Sequence, residues 1–297
     1  MAVATAGVGA RVPDVLVGLI ARRDPEAATP EHQRLTGDVG VGPWLAAGAG
    51  AGARAPLADE RTPSGRSWLA RLPYFIVIVS ALEVCVFLWG GARTQMALLY
   101  NPHRRLELWR FFSYMLLHAD PLHLALNVAI QLVLATPLEY EQGHLRTGLV
   151  YLGGGIAGSL GTSMMEPELY IVGASAGVYA LLISQLSNIL LNFGTIRYKV
   201  YRTVAVVVLA LTDIAFSLHH HYTFGNECPR VGLAAHCSGA VAGFLLGLVL
   251  FRGEAAKPEN AAWMRACRWA AAALLSAGLT AAVVCNMLLP PAPPRTT

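Results

Sequence analysis

The sequence predicts an all-α membrane protein that crosses the bilayer seven times. Composition is the first reason: of 297 residues, 55% are apolar and 13% charged, where a soluble domain carries about 25% charged residues. Mean hydropathy is +0.49. Distribution is the second reason. The charges collect in the first 71 residues and in short gaps, leaving apolar runs near the roughly 20 residues that cross a hydrocarbon core. Backbone N–H and C=O groups find no partner in lipid, so such runs must satisfy them internally as helices.

Residues 1–71 are rich in Ala, Gly, Pro and Arg and show no sustained helical period, the composition of a disordered extension. Val15 to Ile20 is apolar but too short for a signal peptide, and Asp14 and Asp24 oppose a transit peptide. The spans follow at 73–90, 113–134, 146–165, 174–193, 202–218, 233–251 and 269–289. Pro102 and Pro121 punctuate the long link between the first two, and Pro290-Pro291 ends the last, because proline cannot continue a helix. Trp109-Arg110, ahead of the second span, suits an interfacial anchor.

Lysine and arginine set the orientation. Eight arginines precede residue 72; Arg197, Lys199 and Arg202 follow the fourth span; Arg252, Lys257, Arg265 and Arg268 follow the sixth. With seven spans these segments share one side, the cytosol. The opposite gaps are poor in such residues: 166–172 has none and 219–232 has Arg230 alone. Arg93, Arg104, Arg105 and Arg110 in the first link break the rule. A net charge of +4 without a basic-aromatic block argues against nucleic acid. Cys85, Cys228, Cys237, Cys267 and Cys285 make neither a metal spacing nor a disulfide framework. A carrier would show repeated halves with interrupted helices, and no such repeat is evident. No metal or cofactor is expected.

Three spans carry polar residues that are costly in hydrocarbon and read first as functional. Ser175 lies in Gly173-Ala174-Ser175-Ala176-Gly177-Val178-Tyr179 at the start of the fourth. His236 lies in Ala235-His236-Cys237-Ser238-Gly239 at the start of the sixth, and His123-x-x-x-Asn127 near the start of the second. These three spans run from outside to inside, so Asn127, Ser175 and His236 fall at similar depth. A serine hydroxyl needs a base within hydrogen-bond reach, and neutral histidine suits a low dielectric. No carboxylate accompanies His236, so a dyad is expected. Tyr179, one turn after Ser175, can stack on the imidazole and orient it as an aspartate does in a triad. His123 and Asn127 share a helical face and can stabilise an oxyanion with the Ser175 N–H, about 3–4 kcal/mol per donor. The pattern points to serine-type acyl transfer inside a membrane.

Plainer readings compete. Gly173-x-x-x-Gly177 is also a helix-packing face, and the two readings are compatible because Gly239, Gly243 and Gly247 offer a matching groove. His123 or Asn127 alone would more often be an interhelical hydrogen bond of about 0.6 kcal/mol. Gly-x-Ser-x-Gly also marks a soluble hydrolase elbow, which needs an alternating strand–helix sheet this chain does not offer. His118 reads as structural, and Glu83 and Asp213 as buried hydrogen-bonding groups. His219-His220-His221 reads as a loop, since three adjacent imidazoles cannot converge on one ion.

In this order and on these spans the residues resemble the rhomboid family of intramembrane serine proteases. The resemblance rests on Trp109-Arg110, His118-x4-His123-x3-Asn127, Glu139-x3-Gly143, Gly173-x-Ser175 with Tyr179, and Ala235-His236-x2-Gly239-x3-Gly243, and covers about residues 73–290. It implies a six-helix catalytic core at 72–252. A cytosolic link, a seventh span and a short outer tail follow at 253–297, with the extension at 1–71 in the cytosol. A seventh span after the core resembles the secretory-pathway rhomboids of animals. The resemblance further implies Ser175 as nucleophile, His236 as general base, and Asn127, His123 and the Ser175 N–H as oxyanion donors. Tyr179, Gly173, Gly177 and Gly239 support them, and Trp109 and Arg110 shape the first loop. The activity implied is cleavage of single-span membrane proteins near their outer or lumenal face, releasing ectodomains such as growth-factor precursors. Its partners are then those substrates and the lipid bilayer, with no nucleic acid, in Golgi, endosomal or plasma membrane.

Overall fold

The computed structural model describes residues 72–224, 232–253 and 258–288, and in them every long apolar run is a helix. The extension at 1–71, Cys228, Arg230, Pro290-Pro291 and the side chain of Asp213 lie outside the described residues. The chain runs α1 Tyr74–Trp89, α2 Ala92–Leu98, α3 Arg110–Ser113 with a 3-10 turn Tyr114–Leu116, α4 Pro121–Gln142, α5 His144–Met165, α6 Ser175–Leu191, α7 Lys199–Phe224, α8 Leu233–Leu250 and α9 Pro258–Leu288. Among the described residues the β pairing is one antiparallel bridge, Tyr100 to Ile171. The fold is an all-α membrane bundle in which α1, α4, α5, α6, α7 and α8 form a six-helix core and α9 follows it.

By length and composition α4, α8 and Ala261–Leu288 of α9 are able to cross a membrane, while α1 and α6 are apolar but have 16 and 17 residues. α5 is less apolar because it carries Gly148, Gly153, Gly154, Gly155, Gly158 and Gly161. It packs against α1, α3, α4, α6, α8 and α9, so much of its surface meets protein rather than lipid. Its glycines allow this: a methyl on Gly154 would overlap Ala180, and one on Gly158 would stand 2.5 Å from Ala176 Cβ. Gly239 and Gly243 of α8 press on the same two alanines. Thus α5, α6 and α8 close on one another through Ala176 and Ala180.

Buried polar groups fix the remaining core helices. Glu83 of α1, fully buried, accepts from Tyr151 Oη (2.7 Å) and Gln131 Nε2 (2.8 Å), joining α1, α4 and α5. Glu139 near the end of α4 accepts from the N–H groups of Phe75 (2.8 Å) and Ile76 (3.1 Å), two donors that the first turn of α1 leaves unpaired.

Helices α1, α5, α6 and α8 stand within about two residues of the expected spans, and three spans differ. The second was expected at 113–134, yet α4 begins at Pro121. Asp120 caps it by accepting the His123 N–H (2.9 Å) and Pro121 takes the first-turn position, where a missing N–H costs nothing. The fifth, expected at 202–218, continues as α7 to Phe224 because no glycine or proline interrupts Thr195 to Phe224. His219-His220-His221 is therefore helical rather than a loop. The seventh, expected at 269–289, starts at Pro258, and its alanine-rich first turns carry the arginines that a hydropathy window excludes.

Three of the four exceptional arginines, Arg104, Arg105 and Arg110, hold the first link together. Arg110, 4% exposed, donates to the Glu107 carboxylate (2.6 Å) and to the carbonyls of Met96 and Leu99 (2.7 Å each). Its guanidinium holds the Glu107 carboxyl below the usual carboxylate range. Arg104 also meets Glu107 (3.2 Å), Arg105 donates to the Pro102 carbonyl (3.1 Å), and Trp109 Nε1 to the Ala97 carbonyl (3.1 Å). Arginines committed to a folded loop say little about which side it occupies.

Candidate active site

The residue two before α6 shapes the site. Gly173 has φ 116°, a conformation that L side chains avoid, and its N–H donates to the Tyr114 carbonyl (3.1 Å). A Cβ there would stand 2.8 Å from His123 Cε1, 3.1 Å from His123 Nε2 and 3.9 Å from Ser175 Oγ. Glycine is needed for both reasons. Its bareness lets the imidazole of α4 and the hydroxyl of α6 face one small space.

His236 lies in the first turn of α8, its N–H bonded to the Gly232 carbonyl (3.1 Å). Its Nε2 is 2.9 Å from Ser175 Oγ. The Tyr179 ring stacks on the imidazole with centroids 4.5 Å apart and planes 20° apart. Tyr179 reaches it because four residues return α6 to the face that bears Ser175.

Asn127 is buried on α4, one turn after His123, and its Nδ2 donates to the His123 carbonyl (2.9 Å). An amide nitrogen carries two hydrogens, so one remains for a further acceptor. His118 precedes α4, 8% exposed, edge-on to His123 with centroids 5.2 Å apart. Neither of its ring nitrogens has a hydrogen-bond partner among the described residues. Burial pushes the His118 ring down to about 4, with His123 adding to the effect.

The structure therefore brings Ser175, His236, Tyr179, Gly173 and His123 together, with Asn127 one helical turn along α4. Gly239 acts by permitting contact between α6 and α8. Gly177 does not face α8: a Cβ on it would meet Met115 Cε at 2.5 Å and Tyr151 at 2.9 Å. The face of α6 that receives the histidine helix is Ala176 and Ala180, not Gly173 and Gly177. Sequence reasoning passed over these alanines, together with Gly154, Gly158 and Tyr114, whose Oη donates to the Gly155 carbonyl (2.8 Å). The four-residue spacing of Gly154 and Gly158, and of Ala176 and Ala180, was the available signal.

Chemically, a neutral imidazole at 2.9 Å can take the hydroxyl proton. The first N–H groups of α6 lack intrahelical acceptors and lie at the same end as Asn127 and His123. Hydroxyl, base and donors thus converge within one helical turn of each helix.

A family model described as Rhomboid domain matches residues 105–253. The chain is 35% identical over 209 residues to Rhomboid-related protein 2 of Mus musculus, covering 64% of this chain and 69% of that protein. It is 34% identical over 197 residues to Rhomboid-related protein 3 of Homo sapiens, covering 61% of this chain and 49% of that protein. It thus spans about half the length of the human relative. A protein of Caenorhabditis elegans named Inactive rhomboid-related protein 2 is 28% identical over 192 residues, covering 65% of this chain and 54% of that protein.

Proposed function

The chain belongs to the rhomboid family, and on that premise we propose that it is an intramembrane serine endopeptidase with a Ser175–His236 dyad. The observation that carries this reading is the 2.9 Å approach of His236 Nε2 to Ser175 Oγ under the Tyr179 ring. Ser175 Oγ attacks the scissile carbonyl carbon while its proton passes to His236 Nε2. The carbonyl oxygen becomes an oxyanion, met by the Ser175 N–H, the second hydrogen of Asn127 Nδ2, and His123 Nε2 in its protonated tautomer. Collapse expels the amine, which takes the proton from His236, and leaves an ester on Ser175. Water then attacks the ester carbonyl and gives a proton to His236. The acid product leaves as that proton returns to Ser175 Oγ.

The substrates of this reading are single-span membrane proteins cut near their outer or lumenal face, releasing ectodomains such as growth-factor precursors. The catalytic core is 72–252, with 1–71 cytosolic and 253–297 forming the link, the seventh span and an outer tail. A helix following the core supports the secretory-pathway type, in Golgi, endosomal or plasma membrane. The lysines and arginines near 197–202 and 252–268 support a cytosolic N-terminal segment.

The test uses the full chain in proteoliposomes with a fluorophosphonate probe and a panel of single-span substrates. Both labelling and cleavage are expected, and Ser175→Ala should lose both while its thermal unfolding stays unchanged. Cleavage by the Ser175→Ala variant would remove the proposed nucleophile. A wild-type chain that neither labels nor cleaves would place it with the inactive kind.

A further inference from the structure

Helix α9 has 31 residues, about 46 Å at 1.5 Å per residue, against a hydrocarbon core of about 30 Å. Its first turns therefore reach beyond the hydrocarbon. Trp263 and Trp269 are 71% and 75% exposed, and tryptophan on a lipid-facing surface marks the membrane interface. They bracket Arg265 and Arg268 at headgroup level. This is the end of the bundle away from Ser175, because α8 carries His236 in its first turn and α9 starts after its last.

Between α8 and α9 at this level lies a groove of about 280 Å³ lined by Val249, Arg265, Arg268, Trp269 and Ala272. Its walls are almost wholly apolar, the aliphatic stems of Arg265 and Arg268 included. Arg265 stands at one end, and Ala272, two turns along α9, leads toward the bilayer centre. Arg268 is already occupied: its guanidinium donates to the carbonyls of Val249 (3.1 Å) and Phe251 (2.8 Å), satisfying the last turn of α8. Arg265 is exposed and makes no hydrogen bond or ion pair with the described residues. The segment 252–268 carries Arg252, Lys257, Arg265 and Arg268 against Glu254 and Glu259, four cations less two anions or +2.

We propose that this groove binds one anionic phospholipid of the leaflet opposite Ser175, its phosphate on Arg265 and one acyl chain along Trp269, Val249 and Ala272. A phosphodiester matches the planar fork of a guanidinium. Basic pockets between helices at an interface suit such headgroups. The choline of a zwitterionic lipid would bring a further cation against Arg265 and Arg268, which disfavours it. The inference stands apart from the catalytic reading, since none of these residues touches Ser175 or His236.

The test is native mass spectrometry of the full chain in detergent, titrated with phosphatidylglycerol or phosphatidylcholine of the same acyl chains. One phosphatidylglycerol adduct is expected, favoured over phosphatidylcholine by about five-fold or more. Arg265→Gln should reduce that binding about five-fold, the usual effect of one interfacial cation. Trp269→Ala should weaken both lipids by removing a wall of the acyl-chain seat. Arg252→Gln, outside the groove, should leave the affinity within about two-fold and so separates a site from diffuse surface charge. Equal binding of the two lipids, or no change in Arg265→Gln or Trp269→Ala, would overturn the proposal. So would an Arg252→Gln loss equal to that of Arg265→Gln, or competition by glycerophosphate as strong as that of the whole lipid.

Discussion

A methyl group on Gly239 would overlap the carbonyl oxygen of Ala176, so the helices bearing His236 and Ser175 meet backbone to backbone. Gly239 is three residues after His236, and Ala176 is one after Ser175. The 2.9 Å separation of Nε2 and Oγ therefore depends on the absence of a side chain at 239. Ala176 also has Gly158 of α5 against it, so it cannot yield by moving away.

Gly239→Ala should force α6 and α8 apart. Overpacking of this kind costs about 1–3 kcal/mol of stability, and a shift near 1 Å at reacting atoms costs on the order of 100-fold in rate. Thermal unfolding and single-turnover cleavage would measure the two effects. A less stable variant with an unaltered rate would show that this contact does not set the dyad.

His236 and Asn127 should fail differently. Without His236, Ser175 has no base and acylation should fall to background at every accessible pH. Without Asn127 the dyad stays and one oxyanion donor goes, so a residual rate lower by roughly 100- to 1000-fold should survive. His123→Ala should resemble Asn127→Ala if its ring meets the oxyanion, and be nearly silent if it only packs. Single-turnover cleavage of a reconstituted transmembrane peptide compares all three. An active His236→Ala beside a dead Asn127→Ala would reverse the roles.

Tyr179→Phe keeps the stacked ring and should cleave at close to the wild-type rate. Tyr179→Leu removes the ring–ring term of about 0.5–1.5 kcal/mol, a loss of roughly two- to ten-fold if that term orients the base. The relevant readout is the acylation rate of the fluorophosphonate probe. A Leu variant that acylates normally would mean the stack does not orient His236.

His118 gives stability a pH dependence. Its folded value of about 4 lies below the ordinary 6.5, so between these the unfolded chain binds a proton that the folded chain does not. Stability should fall as pH drops from about 6.5 toward 4, and His118→Phe should flatten that slope. Unfolding midpoints in detergent across this range decide it. Parallel slopes for the two proteins would assign the titration to another group.

Seven spans put a tag before residue 72 and a tag after residue 288 on opposite faces. Protease protection in sealed vesicles is expected to show one tag cleaved and one protected. Finding both on the same face would mean an even number of spans, and would break the shared depth of Asn127, Ser175 and His236.

Hydropathy and charge are local quantities, and they suffice to place α1, α5, α6 and α8 within about two residues. Residue spacing is local too, so the sequence alone puts Tyr179 one turn from Ser175 and Asn127 one turn from His123. Boundaries set by caps were lost to hydropathy: Asp120-Pro121 starts α4 and Pro258 starts α9 because of hydrogen-bonding demands at helix ends. Distances between helices are not local at all. Ser175 and His236 are 61 positions apart, and what joins them is Ala176 and Ala180 held between the glycines of α5 and α8. The partners of Glu83 and the turning of Gly177 toward Met115 and Tyr151 likewise come from packing. Such contacts depend on which small residues face each other across three helices, and tertiary structure alone decides that.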